Sequence, residues 1–196
     1  PDNTETVALD VTDSQSVHRL AASIGGRVEI VVNTALHIRP GDRLHPPALV
    51  PAREEMEVAY FGLLRLAQHF GPALRARAAD GENPACGWVN IISASALAAQ
   101  PVFAGSSAAH AAALSLAQSL RAALRPIRVV NAFIGPLDDE WHQALPPPKL
   151  APATLAAAVV GALRDGIEEL AVGDVAQDIL ARFRDNPAIL ARELSS

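Results

Sequence analysis

Short apolar, β-branched runs alternate with alanine-rich helical runs along the whole 196-residue chain. That alternation is what a parallel sheet flanked by helices requires, because parallel strands are joined only by long crossovers, usually helical. The strands read as Thr6 to Asp10 (TVALD), Val28 to Asn33 (VEIVVN), Gly87 to Ile92 (GWVNII), Ile127 to Phe133 (IRVVNAF) and Glu168 to Val172. The second is apolar at nearly every position, the pattern of a strand buried on both faces.

Between them, Thr12 or Asp13 can cap a helix running to about Ser23, which Gly25-Gly26 ends. Residues 34 to 51 carry four prolines and a glycine and read as a loop. A long helix follows from about Arg53 to Ala78, with a kink expected near Gly71-Pro72. Ala79 to Cys86 reads as a polar turn and 93 to 104 as a loop. A helix of small residues covers 106 to 124, and Pro126 stops it. Gly135 to Pro148 is loop, Thr154 to Arg164 is helix, and two helical turns close the chain.

Composition removes several classes of function. With 16 Lys+Arg against 21 Asp+Glu, a net charge of −5 and no basic block, the chain is unsuited to bulk nucleic-acid binding. Mean hydropathy is only +0.19 and charges recur throughout, so no membrane-spanning helix is expected. The single Cys86 cannot form an internal disulfide, and no Cys/His spacing offers a metal site; a reducing, cytoplasmic compartment fits. Pro1 to Asp10 is acidic and polar, unlike a signal peptide, and the missing initial Met suggests a processed or partial chain.

The ordered segments VALDVTD, VEIVVNTA, VAYFGLLRLAQ, GWVNIISAS, SSAAHAAALSLAQSLR and IRVVNAFIGP resemble the short-chain dehydrogenase/reductase family. The resemblance implies a doubly wound α/β fold of Rossmann type, one domain over 1–196, and hydride exchange between NAD(P) and an alcohol or carbonyl. It puts Asp10 and Val11 at the adenine contact and Asn33 at the first Asn of the family's NNAG segment. The chain then starts at the family's third strand, without the TGxxxGxG turn that holds the pyrophosphate, so the domain reads as incomplete at its N-terminus. A gap beside the strand ending in Asn33 is expected. Upstream residues, another chain or a sliding first strand would fill it.

The family's chemistry is altered position by position. Ser93 keeps the serine, but the tyrosine falls on Ser106, the lysine on His110, the helix asparagine on Ala59 and the carboxamide-binding threonine on Asp139. A serine hydroxyl is shorter and far less acidic than a phenol, and histidine lacks the permanent ammonium that lowers the phenol's pKa. Tyr60 and Lys149 are the only residues of their types, so the Tyr-x-x-x-Lys motif exists nowhere in the chain.

Three readings follow. The first is a degenerate relative acting as a binding or partner subunit. The second is an NAD(P)-dependent oxidoreductase with an unconventional proton donor. The third is a cofactor-free lyase or hydrolase using Ser93, Ser106 and His110, since Ser106 and His110 share a helix face and can hydrogen-bond, with Asp138 or Asp139 orienting the ring. Against the third stands plain filling of the hole left by tyrosine and lysine. His37, His45 and His142 rim the expected cleft and read as solvated loop residues; Trp141 to Lys149 match the family's variable lid, and Cys86 is taken as structural. The resemblance also implies a homodimer through helices 53–78 and 106–124, where Ala59, Gly62, Leu63, Leu66 and Phe70 form one stripe and Ala109, Ala113, Leu116 and Leu120 the other.

Overall fold

The computed structural model describes residues 3–41, 48–80, 86–140, 142–143 and 145–195. Four parallel strands form one sheet in the order β1 (Ile30–Asn33), β2 (Gly87–Ser93), β3 (Arg128–Ile134) and β4 (Glu169–Val172). The helices are α1 (Ser14–Ile24), α2 (Leu49–Met56), α3 (Leu63–Ala79), α4 (Ala104–Ala123), α5 (Pro152–Asp165), α6 (Asp174–Asp185) and α7 (Pro187–Leu194). Two boundaries show their local cause. Asp13 caps α1 by accepting the Gln15 amide, and Gly166, at φ +78°, closes α5 in the left-handed region where a side chain would be strained.

Period-two alternation divides the sheet between two cores. Trp88 and Ile92 of β2 and Val129 and Phe133 of β3 face Val17 of α1, Leu63 and Phe70 of α3, and Ala109, Ala113 and Ala117 of α4. The alanines recur every fourth residue, so α4 lies close against the strands. On the other face Val89, Val130 and Ala132 pack against Val159 and Ala162 of α5 alone.

The sequence reading needs several corrections. Residues 6–10 form no strand: among the described residues β1 is the sheet edge and pairs only with β2, so the segment has no ladder to join, and Val7 and Leu9 are exposed. Nor has that segment slid against β1. β1 itself is buried on one face only; Ile30 and Val32 point to the α5 side, beyond the reach of α5, and are 43% and 49% exposed. The long helix starts at Leu49, and its irregularity is a widened π turn over Glu57–Gly62 instead of a break at Gly71-Pro72, which lie within α3. The dimer stripes are largely consumed by the chain's own core, since Ala59, Leu63, Leu66, Phe70, Ala109, Ala113 and Leu120 are all buried in it. The closing helical turns are two complete helices, α6 and α7. The turn expected at 79–86 falls mostly outside the described residues.

Candidate functional site

Parallel sheets of this kind present their ligands to the carboxyl ends of the strands. Here Asn33 ends β1, Ser93 ends β2 and Ile134 ends β3, with Ser93 and Ile134 in register. Ser93 Oγ lies 2.8 Å from Ser95 Oγ and accepts the Ser95 amide at 3.2 Å, so the hydroxyl caps the short turn Ala94–Ala96. Asn33 is buried, and its Oδ1 accepts the Ala35 amide at 3.2 Å, turning the chain off the strand.

Asp10 and Val11 lie on the connection into α1. Asp10 Oδ1 accepts the Thr12 hydroxyl at 2.7 Å and the Thr12 amide at 2.8 Å, and these bonds hold its exposed carboxyl below the usual carboxylate range. Val11 presses on Gly62, where a Cβ would meet Val11 Cγ2 at 3.0 Å. Arg65 fastens the turn by donating to Val11 O at 3.3 Å and Ser14 Oγ at 3.1 Å while pairing with Glu57. Arg65 was not singled out in the sequence, and no short motif marks it.

Ser106 and His110 are enclosed, at 2% and 4% exposure. No hydrogen bond joins them among the described residues, and His110 Nε2 is buried without a partner. Burial pushes the His110 pKa down to about 4, so the ring is neutral near pH 7. The Ser106–His110 bond that the third reading allowed is not made among the described residues, and Asp139, offered there as an orienting carboxylate, binds His142 instead, with Oδ1 2.6 Å from His142 Nδ1. His142 is thus buried and paired with Asp139 instead of solvated. His37 does remain on the surface loop, 3.4 Å from Glu54. His45 and Trp141 lie outside the described residues. Glu55, fully buried, accepts the Arg39 amide at 2.8 Å and anchors the loop after β1; a glutamate in a helical pattern gives no sequence sign of this. Among the described residues no three His, Cys, Asp or Glu side chains gather as a metal site, and no helix is long and apolar enough to cross a membrane.

Comparison with known proteins defines the class. The family profile described as short chain dehydrogenase matches residues 2–148. The chain belongs to the short-chain dehydrogenase family. A short chain dehydrogenase from Burkholderia cenocepacia, solved in complex with NADP, is 33% identical and superposes with a TM-score of 0.88 over 97% of this chain and 78% of that one. A short-chain dehydrogenase from Streptomyces avermitilis is 25% identical, with a TM-score of 0.79 over 98% of this chain and 79% of that one. An alcohol dehydrogenase from the archaeon Thermococcus sibiricus, complexed with 5-hydroxy-NADP, shares the fold at 20% identity and a TM-score of 0.68, over 83% of this chain and 71% of that one. No curated protein matches the chain.

The fit of a nicotinamide dinucleotide to these residues is uneven. Asp10, Val11 and Asn33, which the resemblance places toward the adenosine, stand on connections ordered by their own hydrogen bonds. Of the residues that the resemblance aligns with the family's lysine and carboxamide-binding threonine, His110 is buried and neutral, and the Asp139 carboxylate is engaged by His142. These side chains do not fit the nicotinamide half.

Proposed function

We propose that this protein is a degenerate short-chain dehydrogenase that binds a small molecule or a partner protein without running the family's proton relay. The observation that carries this reading is the replacement of the phenol and ammonium by Ser106 and His110, both enclosed, with the imidazole neutral and its Nε2 unpartnered. A neutral, buried ring can neither lower a neighbour's pKa nor hold ribose hydroxyls as an ammonium does. The test is NADPH consumption by the purified chain with a panel of aldehydes and ketones. No turnover above the buffer rate is expected, and turnover abolished by Ser93→Ala overturns the reading.

One observation favours a second reading, an oxidoreductase with an unconventional proton donor: the 33% identity to a protein solved with NADP extends over 97% of this chain. It predicts saturable NADPH binding by calorimetry. The lyase or hydrolase reading loses support, because its Ser106–His110 bond is absent among the described residues and its third member is engaged by His142. The homodimer is retained as part of the proposal on a changed surface. Leu49, Val50, Phe61 and Val102 are the exposed apolar residues on and beside α2, the π turn and α4, and a cavity of about 330 Å³ lies between Leu49 and Gly105. A cytoplasmic setting agrees with the one thiol, Cys86, which is buried and has its pKa pushed up by burial.

A further inference from the structure

The amino end of the sheet, opposite Ser93 and Asn33, carries a charged cavity. Three arginines fall within eight residues, Arg121 to Arg128, in a chain whose net charge is −5. They stand on three elements: Arg121 on the last turn of α4, Arg125 on the turn that follows, and Arg128 at the first position of β3. Buried Leu124 and Ile127 pin that turn, with Ile127 N donating to Leu124 O at 2.9 Å, and Arg125 between them is exposed. Together with Glu168 the three arginines line a cavity of about 310 Å³, near the lower end of the range of small-molecule sites. Arg128 and Ile134 stand at opposite ends of β3, about 20 Å apart along the strand, so the cavity is remote from Ser93.

The three guanidiniums are unequally committed. Arg121 donates to Glu168 O at 3.2 Å and to Glu169 Oε1 at 2.9 Å. Arg128 donates through Nη1 to Leu163 O in the last turn of α5, and its guanidinium lies over Gly166, where a Cβ would meet Cζ and Nη2 at 3.6 Å. Arg125 makes no hydrogen bond or ion pair among the described residues. A glutamate and helix-end carbonyls therefore account for Arg121 and for one amine of Arg128, and nothing in the fold engages Arg125. Glu168 Oε2 stands 3.7 Å from Arg121 Nε, beyond hydrogen-bond reach, and its side chain is 63% exposed. That carboxylate is free to turn to solvent, which leaves the three guanidiniums against Glu169 alone, an excess of two positive charges.

We propose that this cavity binds a dianionic phosphate group, free or as a small phosphate monoester, with Arg125 and Arg128 donating to its oxygens. The charge excess matches a dianion. A carboxylate offers two oxygens in one plane and is satisfied by one guanidinium fork, whereas a tetrahedral phosphate presents separate edges to two forks that approach from different elements. Arg121 holds the wall and adds field, and Glu168 opposes the anion until it turns away.

The experiment is backbone ¹H–¹⁵N NMR of the 196-residue protein at pH 7.5 and constant ionic strength, titrated with inorganic phosphate, with glycerol 3-phosphate and with acetate. The amides of Arg125, Arg128 and Glu168 are expected to shift saturably with phosphate while those of Ser93 to Ala96 stay in place. A response to either phosphate source or to both supports the site and identifies the source. Arg125→Ala, at an exposed position, should stay folded and weaken the titration about tenfold, the loss of one charge-assisted hydrogen bond. Glu168→Gln should tighten it about threefold by removing a partly exposed opposing charge. Arg19→Ala, an exposed arginine on α1, should change nothing. Shifts that never saturate with either phosphate overturn the inference, as does acetate binding as tightly as phosphate. Unchanged affinity in Arg125→Ala overturns it too.

Discussion

Asn90 Nδ2 donates a 2.9 Å hydrogen bond to Asn131 Oδ1 across β2 and β3, and Trp88 Nε1 donates to Asn90 Oδ1 at 2.8 Å. The two asparagines are register partners on the face covered by α3 and α4, and both are buried. A polar line in the middle of a sheet core is tolerated when most of its groups satisfy one another. Asn90 is the hinge of this line and Asn131 its end, since Asn131 Nδ2 has no partner. Asn90→Ala therefore strands the indole N–H and the Asn131 carbonyl together and should cost about 2–4 kcal/mol. Asn131→Ala strands a single donor and should cost about 1–2 kcal/mol. Urea denaturation of both variants measures the order, and equal or reversed costs contradict it.

The pH dependence of stability should carry a signature of His110. Its pKa falls from an ordinary 6.5 to about 4 in the folded protein because burial disfavours the imidazolium. Between those values the unfolded chain holds a proton that the folded chain does not, so stability drops as pH drops. The contribution is complete above 6.5, declines from 6.5 to about 4, and is flat below; its full size is about 3 kcal/mol. Thermal melts of the protein and of His110→Leu at a series of pH values separate this term. The variant should lose the part of the acid slope lying in that window, and an unchanged slope refutes the assignment.

Restoring the family's pair should harm the protein. Ser106 and His110 are enclosed at 2% and 4% exposure, so the volume once allotted to a phenol and an ammonium is filled. Ser106→Tyr overpacks the α4 face, at a cost of about 1–3 kcal/mol, and His110→Lys adds a buried cation. The double variant should melt several degrees lower, at roughly 2–4 °C per kcal/mol for a chain of this size. NADPH turnover should stay absent. Unchanged melting with gained turnover would mean that the family's catalytic cavity survives.

These contrasts mark how far the residues alone could be read. Strands β2 to β4 and helices α1, α4 and α5 are legible because period and punctuation agree there: Asp13 caps, Gly166 closes and Pro126 stops. Thr6–Asp10 reads as a strand by composition but forms none, because a strand is defined by its neighbour and β1 offers it no pairing. The loss of the tyrosine and lysine is plain from two residue counts. The Asp139–His142 pair is not: aspartate and histidine three apart are common in loops, and only the fold of 135–150 turns the carboxylate to the ring. Arg65 and Glu55 escape notice for the same reason, since their partners lie in other elements.

The open edge gives a last comparison within one register pair. Val32 and Val89 are neighbours on the α5 face of β1 and β2, yet Val32 is 49% exposed and Val89 is sealed beneath α5. A lysine at the first position keeps its ammonium in water, so Val32→Lys should change stability by no more than about 0.5 kcal/mol. A lysine at the second forces a charge into the small core under α5, and Val89→Lys should abolish the folded state of the 196-residue chain. Exposed apolar edges also pair with one another, so Val32→Lys should reduce concentration-dependent self-association in sedimentation velocity without lowering the melting temperature. If Val32→Lys unfolds the chain as Val89→Lys does, the β1 face is covered in solution and the edge is not open.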